Sequence, residues 1–203
     1  MFRFCNKPAS LTIFTQRLDM TEDYKTLESQ IREIYGRVVY THKTHEKCAD
    51  ILKSRNDCLK LVEIILSALT TTSILGVLIG TGKAGEIVAA TFSTLLLFLS
   101  LYAKDYNFLA IAEKHKQSAL EILAIRERLL SLLVDIRIGN KSIDDLQVVR
   151  DVLNIELVNT YRGAPKTISK GYQKASKALK ENEEFTFTDA EIDKFLPTSL
   201  KKV

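Results

Sequence analysis

The chain has 203 residues, 46% of them hydrophobic, with 29 Lys and Arg against 25 Asp and Glu for a net charge of +4. The two signs are interleaved, which argues against a nucleic-acid partner and suits cytoplasmic flanks lying beside anionic lipid. The three cysteines, Cys5, Cys48 and Cys58, form no framework, so a disulfide scaffold is excluded and reduced thiols are expected.

Residues 1–20 show no clear period and contain Pro8, so the reading is a leader, docked loosely or not at all. Its apolar stretches, around Phe2 and Phe4 and from Leu11 to Phe14, are too short for a signal peptide, so the first span is expected to direct insertion. Thr21-Glu22-Asp23 opens a helix. Leu27, Ile31, Ile34, Val38, Thr41, His45, Cys48, Leu52, Arg55 and Leu59 then recur in alternating steps of four and three, the seam of a coiled coil with a polar middle.

That seam runs into two apolar stretches, residues 61–80 and 87–103, in which Glu63 and Tyr102 are the only ionisable side chains. At about 1.5 Å per residue each run reaches roughly 30 Å, the thickness of a bilayer's hydrocarbon core. A transmembrane helical hairpin is the expectation; two buried helices of a soluble bundle are the alternative, and tandem runs this long that are apolar on every face are rare in soluble proteins. Lys43, Lys47, Lys53, Arg55 and Lys60 precede the spans, Lys104, Lys114, Lys116, Arg126 and Arg128 follow them, and the loop carries only Lys83. The positive-inside rule then places both termini in the cytoplasm.

Beyond the spans Phe108, Ile111, His115, Ser118, Ile122, Ile125, Leu129, Leu132 and Ile136 repeat the spacing, which predicts an antiparallel partner for the first seam. Gly139-Asn140 stops that helix, and Ser142 caps another with Ile143, Leu146, Val149 and Leu153 on one face. Pro165 breaks it. A helix from Thr167 should turn Ile168, Tyr172, Ala175 and Leu179 inward and Lys170, Lys174 and Lys177 outward, and Thr188 to Glu191 is a capping box before a last helix ended by Pro197. The fold class is all-α: residues 21–138 form the two-span hairpin continued into a cytoplasmic antiparallel coiled coil, and 142–203 form small C-terminal helices that fold back on the hairpin or on a neighbour.

No P-loop, GxGxxG, GxSxG or paired CxxC is present, so no enzymatic activity and no cofactor are expected, and Thr81-Gly82-Lys83-Ala84-Gly85 reads as a turn. His42, His45 and Cys48 share a helix, and His115 is expected at a similar height across the seam. Zinc is one reading of that cluster; polar residues fixing helix register is the favoured one, and no metal is assigned. In the spans, small residues recur every fourth position at Ala68, Thr72, Gly76 and Gly80 and at Gly85, Ala89 and Ser93, the expected helix-packing stripe. The opposite face, Glu63, Ser67, Thr70 and Ile74, has no expected partner within the hairpin and is the candidate pore lining or subunit contact. A pore through Thr91, Thr94 and Phe98 of the second span is the alternative lining. Against both stands a plainer reading, with Glu63 at headgroup level and the hydroxyls bonded to their own helix.

The run Tyr40-Thr41-His42-Lys43-Thr44-His45-Glu46-Lys47-Cys48-Ala49-Asp50-Ile51-Leu52, the two spans and the helix Phe108 to Ile138 together resemble the SLATT family, the bacterial SMODS and SLOG-associating two-transmembrane effectors, over about residues 25–160. The resemblance implies an inner-membrane effector of antiviral defence that oligomerises and forms a pore, causing growth arrest or cell death. It also implies a sensor partner encoded nearby, a nucleotide second-messenger synthase or a reverse transcriptase, and brings no catalytic residues. The alternatives are a non-conducting membrane scaffold that recruits partners through its coiled coil and, third, a soluble helical adaptor.

Overall fold

The computed structural model describes residues 9–80 and 82–202, with side chains from residue 22 onward. All regular structure among the described residues is helical: α1 (Ala9–Ile79), α2 (Gly82–Tyr106), α3 (Phe108–Ile138), α4 (Ile143–Gly163), α5 (Ser169–Lys180), α6 (Asp189–Asp193) and a 3-10 turn (Thr198–Leu200). α1 has 71 residues, roughly 105 Å at 1.5 Å rise per residue. Its helix takes in residues 9–20, which the sequence assigns to the leader; residues 1–8, with Cys5, lie outside the described residues.

α1 runs to the far end of the hairpin, and α2 and α3 return along it. Tyr24 Oη donates to the Lys141 carbonyl at 2.8 Å, Arg137 pairs with Glu28, His115 meets His45, and Ser100 Oγ donates to Glu63 at 3.1 Å. The partners step in opposite directions along the two strands of helix, so one antiparallel register holds from the distal tip into the spans. In the stalk, Leu27, Ile31, Ile34 and Val38 of α1 are buried against Ile122, Ile125, Leu129, Leu132 and Ile136 of α3, with Leu146 and Leu153 of α4 closing the cluster. Every third or fourth residue is therefore removed from water, as a helix period of 3.6 requires. Near the membrane end the seam passes from Leu52 to Phe108 and Ala112, and Ile111, expected inward, is exposed.

The far turn is tighter than the apolar pattern suggests. α2 resumes at Gly82, so Lys83 and Glu86 belong to the helix; Gly80 (φ 108°) and Gly82 (φ 63°) take the left-handed backbone that reverses the chain, a conformation an L side chain resists. A second interruption, at Asn107 (φ 34°, ψ 56°), separates α2 from α3. Its side chain accepts from the Ala110 amide at 3.2 Å and so caps α3. Ser142 and Thr188 cap α4 and α6, the latter with the full capping box to Glu191, and left-handed Gly139 closes α3. α4 folds back on α3 through Leu146 and Leu153.

α5 lies along α1 on Gly171, Ala175 and Ala178; Tyr172, expected inward, is exposed and meets α1 through its ring, stacked on Tyr40 at 6.1 Å. The reason is close approach. A Cβ on Gly171 would stand 2.4 Å from Cys48 Sγ, so only glycine allows the two backbones this near.

Candidate functional site

Two regions carry the residues singled out by sequence. The first is the hairpin from Leu59 to Tyr106, where no residue of α2 is buried and none of the most apolar stretch of α1 is either. Glu63, Leu66, Thr70, Ser73 and Gly76 of α1 are half-buried, as are Gly85, Ala89, Phe92, Leu96 and Leu99 of α2, which marks the faces the two helices turn to one another. Ser67, Ala68, Thr72, Ile74 and Ser93 are exposed, as are Thr91, Thr94 and Phe98.

The division differs from the one read off the sequence. The two expected stripes of α1 are each split: Gly76 of one and Glu63 and Thr70 of the other lie inward, while Ala68, Thr72, Ser67 and Ile74 lie outward. Glu63 does have a partner in the hairpin, the Ser100 hydroxyl. The hydroxyls of Ser67, Thr70, Thr71, Thr72, Ser73, Thr91 and Thr94 each donate to the carbonyl four residues back, at 2.8–2.9 Å. A hydroxyl so bonded needs no water and sits in lipid at little cost.

The second region is the polar layer in the middle of the stalk. His42, Lys43, Thr44 and His45 are consecutive and all buried, because α3 covers one side of this turn of α1 while α5 and the chain after it cover another. His45 and His115 meet Nδ1 to Nδ1 at 2.9 Å, so one Nδ1 carries a proton and donates while the other is unprotonated and accepts. Burial, then the neighbouring His115 and His42, pull the His45 pKa down to about 4. Burial lowers His115 as well, and lowers His42, whose Nδ1 has no hydrogen-bond partner among the described residues.

Across the same layer lies an irregular segment after α5. Glu184 binds Lys43 Nζ at 2.6 Å and Lys47 Nζ at 3.4 Å, and Glu46 supplies Lys43 with a second carboxylate at 2.8 Å. Burial alone would depress the Lys43 pKa; the hydrogen bonds to Glu184 and Glu46 outweigh it, and the ammonium is held above its ordinary value. The Phe185 ring stacks on His42 at 5.7 Å and lies 4.7 Å from Lys43 Nζ and 4.8 Å from the Arg126 guanidinium carbon, so two cations flank one aromatic face system. Sequence reading missed Glu184, Phe185 and Arg126, because nothing local in Glu183-Glu184-Phe185 marks a contact with residues about 140 positions earlier.

Of the four residues weighed as a zinc set, His45 and His115 meet, while Cys48 and His42 turn to other partners. Cys48 Sγ accepts from the Ile168 amide at 3.5 Å, burial raises its pKa, and His42 faces Phe185; among the described residues no three His, Cys, Asp or Glu side chains converge as metal ligands would.

An all-helical chain with a long apolar hairpin on a packed stalk defines a two-span membrane protein. Residues 27–191 match the SMODS and SLOG-associating 2TM effector domain family 4, and the chain belongs to that family, a class of membrane effectors in defence and conflict systems. No curated protein and no solved structure matches it.

Proposed function

We propose that the chain is a non-enzymatic, pore-forming effector of bacterial antiviral defence, whose copies gather in the inner membrane with stalk and termini in the cytoplasm. A partner sensor, a nucleotide second-messenger synthase or a reverse transcriptase, triggers assembly, and the resulting leak arrests growth or kills the cell. The observation that carries this reading is that the hairpin buries none of its most apolar residues. Two helices packed on each other enclose no water path, so conduction requires several copies, and the outward faces are the surfaces left for them to meet. The flanking lysines and arginines on the stalk side support the orientation.

Of the expected lining, Ser67 and Ile74 face outward, joined by Thr71, whereas Glu63 and Thr70 lie at the seam between the helices. A lining by Ser67 and Thr71 is therefore the form of the proposal to test. Ser67→Leu and Thr71→Leu should insert normally and yet lower ion flux and toxicity on induced expression, at membrane levels matched by immunoblot. Full flux in both would remove this lining. The non-conducting scaffold is the second reading, favoured by the span hydroxyls being satisfied within their own helices; it expects no flux from the unmodified protein.

A further inference from the structure

Arg55 occupies a position where the seam calls for an apolar residue. The steps of four and three run Cys48, Leu52, Arg55, Leu59, so a guanidinium shares the seam face of α1 with two leucines. Six residues, roughly 9 Å of helix, separate it from the first apolar stretch at Leu61, which sets it at the headgroup level of the membrane. At that level the returning line of helix is interrupted, because Asn107, in its left-handed backbone, parts α2 from α3. Tyr102, Tyr106 and Phe108 cluster over the break, with ring centres 4.5 to 6.1 Å apart. Tyrosines concentrate at this depth because the ring has an apolar body and a polar tip.

Where α1 passes the break lies a cavity of about 250 Å³, lined by Arg55, Cys58 and Leu59 of α1, Tyr102 of α2 and Phe108 of α3. Among the described residues no carboxylate lines it, so the Arg55 charge is uncompensated there; the larger cleft beside Lys43, by contrast, sets Glu46, Asp50 and Glu113 among its lysines. A cation walled by aromatic and aliphatic surface selects an anion that carries apolar matter, and a guanidinium pairs with phosphate through two parallel hydrogen bonds. Size narrows the choice. Pockets for whole small molecules run to about 300–1,000 Å³, so this one suits the polar end of a molecule whose bulk lies elsewhere. At headgroup level, that bulk belongs in the bilayer.

We propose that this cavity holds the headgroup of an anionic phospholipid from the stalk-side leaflet, its phosphate on Arg55 and its acyl chains laid along the outward faces of the spans. Basic pockets between helices on the cytoplasmic side are where anionic headgroups bind. One guanidinium matches the single charge of a phosphodiester, Tyr102 and Phe108 wall the glycerol end, and Leu59 meets the start of the chains. Because the lining comes from α1, α2 and α3, a bound lipid joins the three helices at the place where α2 is parted from α3. The inference rests on the membrane hairpin of the proposed function, and on neither conduction nor a partner sensor.

Cys58 lines the cavity and is exposed, so its thiol reports occupancy directly. Full-length protein carrying Cys5→Ser and Cys48→Ala is reconstituted into vesicles of phosphatidylcholine, alone or with a quarter phosphatidylglycerol, and alkylation by uncharged N-ethylmaleimide is timed. Phosphatidylglycerol should slow Cys58 at least five-fold, and Arg55→Gln should bring the rate back to within two-fold of that in phosphatidylcholine. Asp57→Cys in a Cys58→Ser chain, exposed one residue away and outside the cavity, should slow less than two-fold. Equal slowing at both positions is a surface-potential effect and overturns the site, as does protection that survives Arg55→Gln. Glycerol 3-phosphate added to phosphatidylcholine vesicles should protect nothing; protection by it overturns the lipid as occupant. Retention in the vesicles through an alkaline wash reports insertion separately. A retained protein without protection overturns the lipid site, whereas release by the wash overturns the membrane hairpin on which it rests.

Discussion

The same two lines of helix behave oppositely on the two sides of Asn107. In the stalk, Ile31, Val38 and Ile122 are fully buried, and the pair is held by removal of apolar surface from water. In the hairpin the register continues, through Glu63 and Ser100, yet no residue of α2 is more than half-buried. Lipid tails solvate Leu and Ile as well as another helix does, so apolar contact contributes no comparable drive there. The stalk defines the pair; the hairpin inherits its register and leaves its outer faces free.

The largest effect that tests this contrast is a truncation on each side. Leu129→Ala, at a site 1% exposed in the stalk core, should cost about 2–5 kcal/mol of stability. Leu97→Ala, at a site 59% exposed in the second span, should stay within about 0.5 kcal/mol. Urea or thermal unfolding in detergent, followed by helical circular dichroism, measures both; similar losses would erase the distinction.

A pH effect should belong to the stalk alone. His45 has a folded pKa of about 4 against an ordinary 6.5, so the unfolded chain takes up its proton first as pH falls. The contribution is present above about pH 6.5 and lost progressively toward pH 4, roughly 3 kcal/mol for a shift of that size. His115 faces the ring from α3, His42, Lys43 and Cys48 neighbour it on α1, Arg126 and Glu127 of α3 act on His42, and Glu184 after α5 binds Lys43, so the loss is shared within that layer. Stability measured from pH 7.5 to 4.5 should fall in the unmodified protein and fall less in His45→Gln. Equal slopes would deny the buried pair its role.

What the sequence made legible follows the same boundary. Alternating steps of three and four located nearly all of the stalk seam, because water separates an apolar face from a polar one. The exceptions lie toward the membrane end, where Arg55 is exposed and Ile111 is exposed while Ala112 is buried beside Leu52. The faces of the spans were not legible in this way. With lipid outside there is no polar side to mark, and among the small residues of the stripes Gly76, Gly85 and Ala89 are half-buried while Ala68, Thr72 and Ser93 are exposed. The Glu184–Phe185 segment was invisible for a different reason: its contacts are tertiary, made by ordinary charged and aromatic residues far apart in sequence.

A smaller, local effect sharpens how α5 is attached to the stalk. Gly171→Ala places a methyl 2.4 Å from Cys48 Sγ and should cost about 1–3 kcal/mol through displacement of α5. Because the obstacle is one sulfur, Cys48→Ala in the same chain should recover much of the loss. Protease sensitivity of the linker around Pro165 reports the docking of α5, and an additive double mutant would place the strain elsewhere.

The smallest expected effect returns to the hairpin and to the polar contact between Glu63 and Ser100 across it. Ser100→Ala removes the donor that Glu63 accepts from, and hydrogen bonds between helices in lipid average about 0.6 kcal/mol, so the stability loss should be well below that of any stalk mutation. Glu63→Gln should be milder still, since an amide oxygen accepts from the same hydroxyl. These two variants separate a clasp from a conduction residue. If Glu63 serves the register between the spans, Glu63→Gln leaves ion selectivity unchanged, while Glu63→Leu, which cannot accept, matches Ser100→Ala in stability. If its charge lines a water path, Glu63→Gln lowers cation preference although the hydrogen bond survives. Reversal potentials of the purified protein in planar bilayers, compared with unfolding midpoints of the same three variants, distinguish the two, because charge and hydrogen bonding are removed in different members of the set.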